Sequence, residues 1–268
     1  MSYSINLFTH SGIAHMDDTL SVALMLAHHS DDVSMHVERV RQVPSGGQTS
    51  DYALDMNAPE DFNGVVLDHH YDGAKDCTAV QVLLDITCVS REDLFEALPW
   101  LKGVNTRDLH GIQTACREIG CTVKEYKEVY GAGNQFLVNL MTEEGEGVVS
   151  YDTLRVLNKF GKYVLKELGE YLIRRDAIAA LHMKVVGGYK VADLRGQNLL
   201  APFHMFSETE ADICLMDNLR GEGVVMSRAD RIGDRLDMGK FEEYSSFTHS
   251  GGFMCVLKEG VDPFDLLK

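Results

Sequence analysis

The stretch SINLFTHSGIAHMDDTLSVALMLAHH, residues 4–29, holds the local pattern that decides the fold. Ser4–Phe8 is a short apolar run typical of a buried strand, and Thr19–His29 has the apolar spacing of a helix. A loop rich in His, Gly and Asp joins them. A strand that enters such a loop and continues as a helix is the first half of a βαβ unit. This stretch therefore predicts an α/β fold with metal-ligand residue types at the end of its first strand.

The next segments continue the same pattern. Val33, Met35 and Val37 alternate with polar residues as in a strand, and Tyr52–Met56 predicts a brief strand that ends near Asp55. Val65–Leu67 is another short apolar run, and the triplet Asp68-His69-His70 follows it directly. Strands that alternate with helices predict βαβ units and a mostly parallel sheet.

The second half of the chain has a different pattern. A broad apolar stripe predicts one long helix over residues 151–181, of a length that suits a link between two domains. Met183–Val186 and Tyr189–Leu194, separated by two glycines, predict a hairpin. Two further strands are predicted at Ile213–Met216 and Val224–Ser227. We therefore expect an α/β domain over 1–150, the linking helix, and a smaller α+β domain over 182–268.

Composition and charge narrow the functional classes. With 45% hydrophobic residues the chain can bury a core, whereas a net charge of −16 disfavours a long basic track for nucleic acid. Short phosphorylated substrates, such as a nucleotide or a short oligonucleotide, fit this charge better. The six cysteines form no CxxC pair and are expected to be reduced thiols. The first ten residues do not resemble a signal peptide and no long apolar segment is present, so we expect a cytoplasmic protein without membrane spans.

Three separate segments bring His and Asp together where strands are expected to end. They are His10–Asp18, Asp68–His70, and Val104–Asp108 with its terminal carboxylate. Each segment alone has an ordinary explanation, such as a helix N-cap or a polar turn. Loops at the carboxyl ends of parallel strands meet at one edge of a sheet, so together the segments predict one shared site. Imidazole and carboxylate ligands suit Mn²⁺, Zn²⁺, Fe²⁺ or Co²⁺ better than Ca²⁺.

The same segments resemble the DHH phosphoesterase superfamily. Thr9–Leu20 matches the opening motif Thr-His-x-Gly-x-x-His-x-Asp-Asp/Glu-x-Leu of the branch related to the Myg-type nuclease, and Asp68–His70 matches its Asp-His-His block. Phe247–Phe253 matches its closing motif Phe-x-His-x-Gly-Gly-Phe. The chain departs from the commoner superfamily motif, which has Asp where His15 stands. It also lacks the glycines of the Myg-type branch around Asp55.

The resemblance implies two divalent metal ions, with Mn²⁺ as the first expectation. His10 and His15 would bind one ion, whereas Asp17, His69 and Asp108 would bind the other. By the same resemblance Asp55 would bridge the two ions. The implied catalytic residue is His70, which would face the substrate phosphate or protonate the leaving oxygen. Arg107, beside a predicted ligand, is the arginine that we expect near the scissile phosphate.

A glycine loop in the C-terminal domain is the predicted second half of the substrate site. Gly251 and Gly252 expose backbone N–H groups that can hold a phosphate, and His249 can donate a further hydrogen bond. Arg228 and Arg231 could bind another phosphate or a nucleobase, although a pair of solvated arginines is the ordinary alternative.

These observations predict a two-metal phosphodiester hydrolase, preferably an exonuclease on short or single-stranded nucleic acid. A phosphodiesterase of cyclic or linear dinucleotides is the first alternative, and a non-catalytic regulator that binds metal or nucleotide is the second. Since ligands on strand-end loops contribute little to a core, replacing Asp17 or His69 by alanine is expected to leave the fold intact.

Overall fold

The computed structural model describes residues 4–29, 33–181, 183–197, 203–233 and 235–268. The chain forms two compact units, Met1–Leu168 and Gly169–Lys268. The division falls inside the long helix Tyr151–Ala179, which occupies the span where the sequence predicts a linking helix. None of the described helices is both long enough and apolar enough to cross a membrane.

The first unit is built on a mostly parallel sheet, with strand order β4-β3-β1-β2-β5. β1 pairs in parallel with β2 and with β3, and β3 pairs in parallel with β4, whereas β5 is antiparallel to β2. The strands are β1 Ser4–His10, β2 Ser34–Val40, β3 Tyr52–Leu54, β4 Val65–Leu67 and β5 Gly147–Val148. The parallel core confirms the α/β prediction, and the antiparallel edge makes the sheet a mixed one.

Helices surround this sheet and form most of the unit. They are α1 Met16–His28, α2 Thr78–Thr87, α3 Arg91–Ala97, α4 Pro99–His110, α5 Ile112–Ile119, α6 Val123–Glu143 and α7 Tyr151–Ala179. α1 is buried along most of its length, and α7 packs closely on it at Gly161. A Cβ at Gly161 would lie 2.0 Å from the Ala23 carbonyl oxygen, so only glycine permits this approach.

The strand and the helix beside the His/Asp loop are both longer than the sequence predicts. β1 continues beyond Phe8 to His10, because His10 still pairs with Val40 of the neighbouring strand. α1 begins at Met16 instead of Thr19, because the Asp18 carboxylate accepts a hydrogen bond from the His15 backbone N–H and caps the first turn.

The prediction that Asp108 follows a strand was wrong. Asp108 lies near the end of α4, which begins with Pro99 at its first turn and buries Leu101 and Val104. Proline at the first turn and apolar residues three apart are signals of a helix, and they outweigh the expectation of a strand end at Asp108.

The second unit contains a six-stranded sheet of order β10-β11-β9-β8-β7-β6. Among the described strand pairs of this unit, only β7 and β8 are parallel. Its elements are β6 Lys184–Val186, β7 Tyr189–Asp193, α8 Phe203–Glu208, β8 Ile213–Asp217, β9 Val224–Arg228, β10 Ser245–Thr248, β11 Met254–Leu257, α9 Pro263–Leu266 and two 3₁₀ helices, Asp230–Ile232 and Met238–Tyr244. The predicted hairpin is confirmed, since β6 and β7 pair antiparallel across Gly187 and Gly188.

Candidate metal centre

The carboxyl ends of three adjacent parallel strands bring the His/Asp segments together. β1 ends at His10, β3 is followed by Asp55, and β4 is followed by Asp68–His70. α1 begins at the same edge and contributes Asp17 from its first turn. Residues that are far apart in the chain therefore lie side by side at this edge of the sheet.

One group of potential ligands, here called the first centre, consists of His10, His15 and Asp55. Their ligand atoms lie within 4.8 Å of one another. His10 Nε2 lies 3.5 Å from Asp55 Oδ2, and the two imidazole rings have centroids 5.5 Å apart. This centre offers two nitrogen ligands and one carboxylate.

A second group, the second centre, consists of Asp17, Asp55, His69 and Asp108, with ligand atoms again within 4.8 Å of one another. His69 Nδ1 lies 3.1 Å from Asp55 Oδ1 and 3.5 Å from Asp17 Oδ2. Its Nε2 lies 2.8 Å from Asp108 Oδ2. Asp55 belongs to both centres, and the second is much richer in oxygen than the first.

Asp55 holds an unusual backbone conformation between the two centres. Its φ of 58° is rare for a residue other than glycine, although Asp tolerates it better than most. Its N–H donates to the Leu67 carbonyl at 2.9 Å, which continues the pairing of β3 with β4 by one step. The turn directs a buried carboxylate inward at the strand end.

His70 forms a pair with Asp68 outside these two centres. His70 Nδ1 lies 2.6 Å from Asp68 Oδ1, and the His70 ring stacks on His69 with centroids 4.3 Å apart. Ligand atoms of Asp55, Asp68, His69 and His70 also lie within 4.8 Å of one another, so they form a third potential ligand group. The side chain of His70 is 55% exposed, far more than that of His69 at 9%.

The surrounding carboxylates favour the protonated form of the imidazoles. Asp55 raises the pKa of His10 to about 9 despite burial, and Asp108 and Asp55 raise that of His69 to about 10. Burial and the charges of Asp108 and Asp55 raise the pKa of Asp17 to about 7. Burial also acts on Asp55, but the two histidines outweigh it and lower its pKa to about 2. Without metal, protons on the histidines balance part of the negative charge.

The donor set fits divalent cations. Among the described residues around the two centres, three buried carboxylate oxygens accept no hydrogen bond of good geometry: Asp18 Oδ2, Asp55 Oδ1 and Asp108 Oδ2. Buried polar atoms normally have a partner, and unpaired oxygens that converge on imidazole nitrogens are the arrangement a cation would satisfy. Mixed imidazole and carboxylate ligands suit Mn²⁺, Fe²⁺, Co²⁺ or Zn²⁺.

Two cavities open beside the centres. The larger, about 750 Å³, is lined by His10, His15, His70 and the segments after β2 and β3, including Arg41 and Asn57. The smaller, about 200 Å³, is lined by Asp17 and Asp108 together with Arg107 and Asn134. The structure therefore places the exposed Arg107 beside the second centre.

The predicted substrate residues of the second unit form a compact turn of their own. The His249 ring packs on Phe253 with centroids 4.0 Å apart, and its Nδ1 accepts a hydrogen bond from the Gly251 N–H at 3.0 Å. Gly252 has φ 61°, and its carbonyl accepts a hydrogen bond from Arg228 Nε at 3.1 Å. Arg231 donates to the Ala211 carbonyl and lies near the Asp212 carboxylate. Both arginines thus make backbone contacts within their own unit.

Several supporting residues were not singled out from the sequence. Asp17 Oδ2 and Oδ1 accept hydrogen bonds from the backbone N–H groups of Thr78 and Ala79, at 2.9 and 2.7 Å, in the first turn of α2. Arg39 is fully buried behind the His10 loop. The alternation of Val33, Met35 and Val37 continues to Arg39, so an arginine at an inward-facing strand position was the available signal.

Comparison with models of known protein families gives no match, and neither does comparison with characterised proteins. Among solved structures, the chain is similar to an uncharacterised protein from Helicobacter pylori G27, at 10% identity and TM-score 0.25, over 96% of this chain and 94% of that one. It is also similar to RecJ from Thermus thermophilus in complex with Mg²⁺ (9% identity, TM-score 0.29, 99% of this chain and 48% of that one). The RecJ complex with Mn²⁺ gives 8% identity and TM-score 0.29, over 98% of this chain and 50% of that one.

This chain thus spans about half the length of the RecJ chains. At such TM-scores the likeness is too slight to support a fold or a function. The fold and the function are therefore argued from the residues of this chain alone.

Proposed function

We propose that the protein is a two-metal phosphodiester hydrolase, with short or single-stranded nucleic acid as its substrate and an exonucleolytic mode of action. The observation that carries this proposal is that Asp55 belongs to both ligand groups. If each group held a divalent ion, Asp55 would serve both, and a pair of neighbouring ions would supply Lewis acidity to one phosphate. We assign His10, His15 and Asp55 to one ion, and Asp17, Asp55, His69 and Asp108 to the other.

The chain's own residues then have distinct roles. Bound divalent ions would supply Lewis acidity toward the phosphate and lower the pKa of a bound water. His70 donates its Nδ1–H to Asp68, which orients the ring, and its imidazolium form would carry a second proton on Nε2 for the leaving oxygen. Arg107 is exposed at the smaller cavity, where its guanidinium can pair with the oxygens of the scissile phosphate.

The larger cavity and the charge of the chain support a small substrate. A volume of about 750 Å³ accommodates a nucleoside, and Val43, Met56 and Pro59 give it an apolar part that suits a base. The net charge of −16 opposes a long polyanion. Arg41, at the cavity wall, is a local exception to that charge, although it pairs with Glu146 at 2.8 Å.

The second unit is proposed to bind the remainder of the substrate. His249, the N–H groups at Gly251 and Gly252, and the cations Arg228 and Arg231 are the groups we assign to it. His249 Nε2 remains for a phosphate oxygen when Nδ1 accepts the Gly251 N–H. Because Arg228 and Arg231 already contact backbone carbonyls, His249 is the member on which this assignment most depends.

A metal count combined with a substrate panel tests the proposal. The purified protein, stripped and reloaded with Mn²⁺, Co²⁺ or Zn²⁺, is assayed on bis(p-nitrophenyl) phosphate, on labelled five-nucleotide RNA and DNA, and on cyclic and linear dinucleotides. We expect two bound ions and hydrolysis of the oligonucleotides. His15→Ala should lose one ion and activity, whereas His36→Ala, an exposed histidine on β2, serves as the matched control. Two ions in His15→Ala would refute the assignment.

A dinucleotide phosphodiesterase is the second candidate, favoured by the strong negative charge of the chain. Faster turnover of dinucleotides than of five-nucleotide substrates would select it. A non-catalytic binding protein would load metal or nucleotide but would hydrolyse none of the panel, including the generic diester.

A further inference from the structure

Arg39 is a buried cation to which the proposed chemistry gives no role. It lies on β2, on the inward-facing side with Val37, and its exposed fraction is 0%. Among the described residues no carboxylate forms an ion pair with it. Burying a guanidinium is costly unless its donors are satisfied, so its contacts should show what it stabilises.

The two Nη groups of Arg39 donate to three backbone carbonyl oxygens, whereas its Nε has no hydrogen-bond partner among the described residues. Nη2 donates to His10 at 3.1 Å and to Gly12 at 2.9 Å, and Nη1 donates to Met141 at 2.6 Å. Met141 lies in the last turn of α6, where carbonyls lack a partner within the helix. The guanidinium thus joins the end of α6 to the loop between β1 and α1. A planar fork of donors suits such a geometry better than an ammonium does.

The same loop has two further backbone anchors. The Ser11 N–H donates to the Val40 carbonyl at 2.8 Å, and the Ala14 N–H donates to Thr142 Oγ1 at 3.0 Å. Thr142 follows Met141 in α6, so the Ala14 anchor and the Arg39–Met141 contact reach the same helix end, whereas the Ser11 anchor lies on β2. Gly12, with φ 98°, lies between them and has no other atom near its Cβ position. The contacts that fix the backbone of this loop are therefore hydrogen bonds to β2 and α6 and to the Arg39 guanidinium.

His10 and His15 flank this anchored loop, and they are two of the three ligands of the first centre. On the basis of the function proposed above, we infer that Arg39 is a positioning residue for the first centre. It holds the loop carbonyls so that the two imidazoles face one ion. Thr142 is its partner in this role.

The second centre does not depend on this loop to the same degree. Asp17 is fixed by the N–H groups of α2, His69 follows β4, and Asp108 lies on α4. Loss of the Arg39 contacts should therefore weaken one metal site selectively. A general loss of packing would weaken both sites.

The test is a titration of the metal-stripped whole chain with Mn²⁺ and, separately, Zn²⁺, followed by calorimetry. His15→Ala and Asp108→Asn identify which binding phase belongs to which centre. Arg39→Met and Arg39→Lys are compared with wild type, and Thr142→Val removes only the second anchor. Arg155→Met removes the same charge from an exposed position of α7 and is the matched control.

We expect Arg39→Met to weaken the first-centre phase roughly 10- to 100-fold, the range found for residues that orient metal ligands. Arg39→Lys and Thr142→Val should fall between it and wild type, with the second-centre phase unchanged in all three. Hydrogen exchange at residues 11–14 should also accelerate in the metal-free variants.

Two outcomes would overturn the inference. The first is a wild-type first-centre phase in Arg39→Lys and Thr142→Val. The second is equal weakening of both phases in variants that remain folded. If Arg39→Met does not fold, the two milder variants decide. Because the readout is metal affinity, a failure to hydrolyse any diester would count against the proposed function without deciding this point.

Discussion

Replacing Asp17 by alanine separates two roles that this side chain combines. Asp17 is a proposed ligand of the second centre, and its two carboxylate oxygens also accept the N–H groups of Thr78 and Ala79. Those N–H groups open α2 and have no partner within the helix. The sequence-based expectation is that Asp17→Ala leaves the fold intact. Because the carboxylate also caps a helix 61 residues away, we expect the variant to lose stability as well as metal.

The size of the effect follows from these contacts. Alanine would leave two buried N–H groups unpaired, at about 1–3 kcal/mol each, so the metal-free variant should lose about 2–6 kcal/mol of unfolding free energy. Burial and nearby carboxylates raise the pKa of Asp17 to about 7. Above that pH wild type carries a destabilising buried charge that alanine removes. The loss should therefore be larger at pH 5.5 than at pH 8.

The assay is urea unfolding in excess chelator, followed by the fluorescence of Trp100. This is the only tryptophan of the chain, and it lies at the start of α4 in the first unit. Hydrogen exchange at Thr78 and Ala79 reports the cap itself. Asp108→Asn is the control, because Asp108 belongs to the same centre and accepts no backbone N–H among the described residues.

Both variants should lose affinity for the second metal, but only Asp17→Ala should lose the α2 cap. Asp108→Asn removes a charge that raises the pKa of His69, so it should also cost stability in the metal-free state, but it should leave hydrogen exchange at Thr78 and Ala79 at the wild-type rate. If metal-free Asp17→Ala unfolds at the wild-type urea concentration at pH 5.5, the capping role is refuted. If it retains the second metal, the ligand assignment is refuted.

Further predictions concern metal, pH and the second unit. Chelation should abolish hydrolysis and Mn²⁺ or Co²⁺ should restore it, as measured on bis(p-nitrophenyl) phosphate; full activity in excess chelator would exclude a metal mechanism. The raised pKa values of His10 and His69, about 9 and 10, stabilise the metal-free fold fully below pH 6.5. This contribution is lost as pH rises through those values. The melting temperature of the metal-free protein should therefore fall toward pH 10, and that of the metal-bound protein should change less. His249→Ala should raise KM or slow turnover, by roughly 1.5–3 kcal/mol in substrate or transition-state binding, at unchanged metal content; loss of metal would contradict the assignment. Gly252→Ala should lower the melting temperature of the metal-free protein, because φ is 61° and the added Cβ would lie 2.2 Å from Asp237 Oδ1; a wild-type melting curve would exclude this steric argument.

Local patterns predicted most of the elements, because strands and helices depend on nearby residues. The β1–α1 unit and the β6–β7 hairpin are confirmed with shifts of a few residues. The residues brought to one sheet edge were expected because carboxyl ends of parallel strands meet. The assignment of individual ligands to two ions came from the family resemblance and remains a proposal.

The remaining features depend on tertiary contacts, which no local pattern contains. Asp108 reaches the second centre from a helix because α4 packs beside α1 and α2. The cap that Asp17 gives to α2 joins residues far apart in the chain. Arg39 was the exception, since alternation along β2 places its side chain inward. An arginine at such a position needs buried acceptors, and the sequence alone does not show which carbonyls supply them.

The supporting contacts of the candidate centre have one feature in common. Three of its ligand positions are held by groups that do not themselves bind the ion: Asp17 by the α2 N–H groups, Asp55 by its N–H bond to Leu67, and the His10 loop by Arg39. Buried carboxylates repel one another, so a site held only by its ions would open without them. Here backbone N–H groups and protons on two histidines oppose that repulsion. Metal binding should then replace protons in a site that is already formed, with proton release and little change in backbone structure.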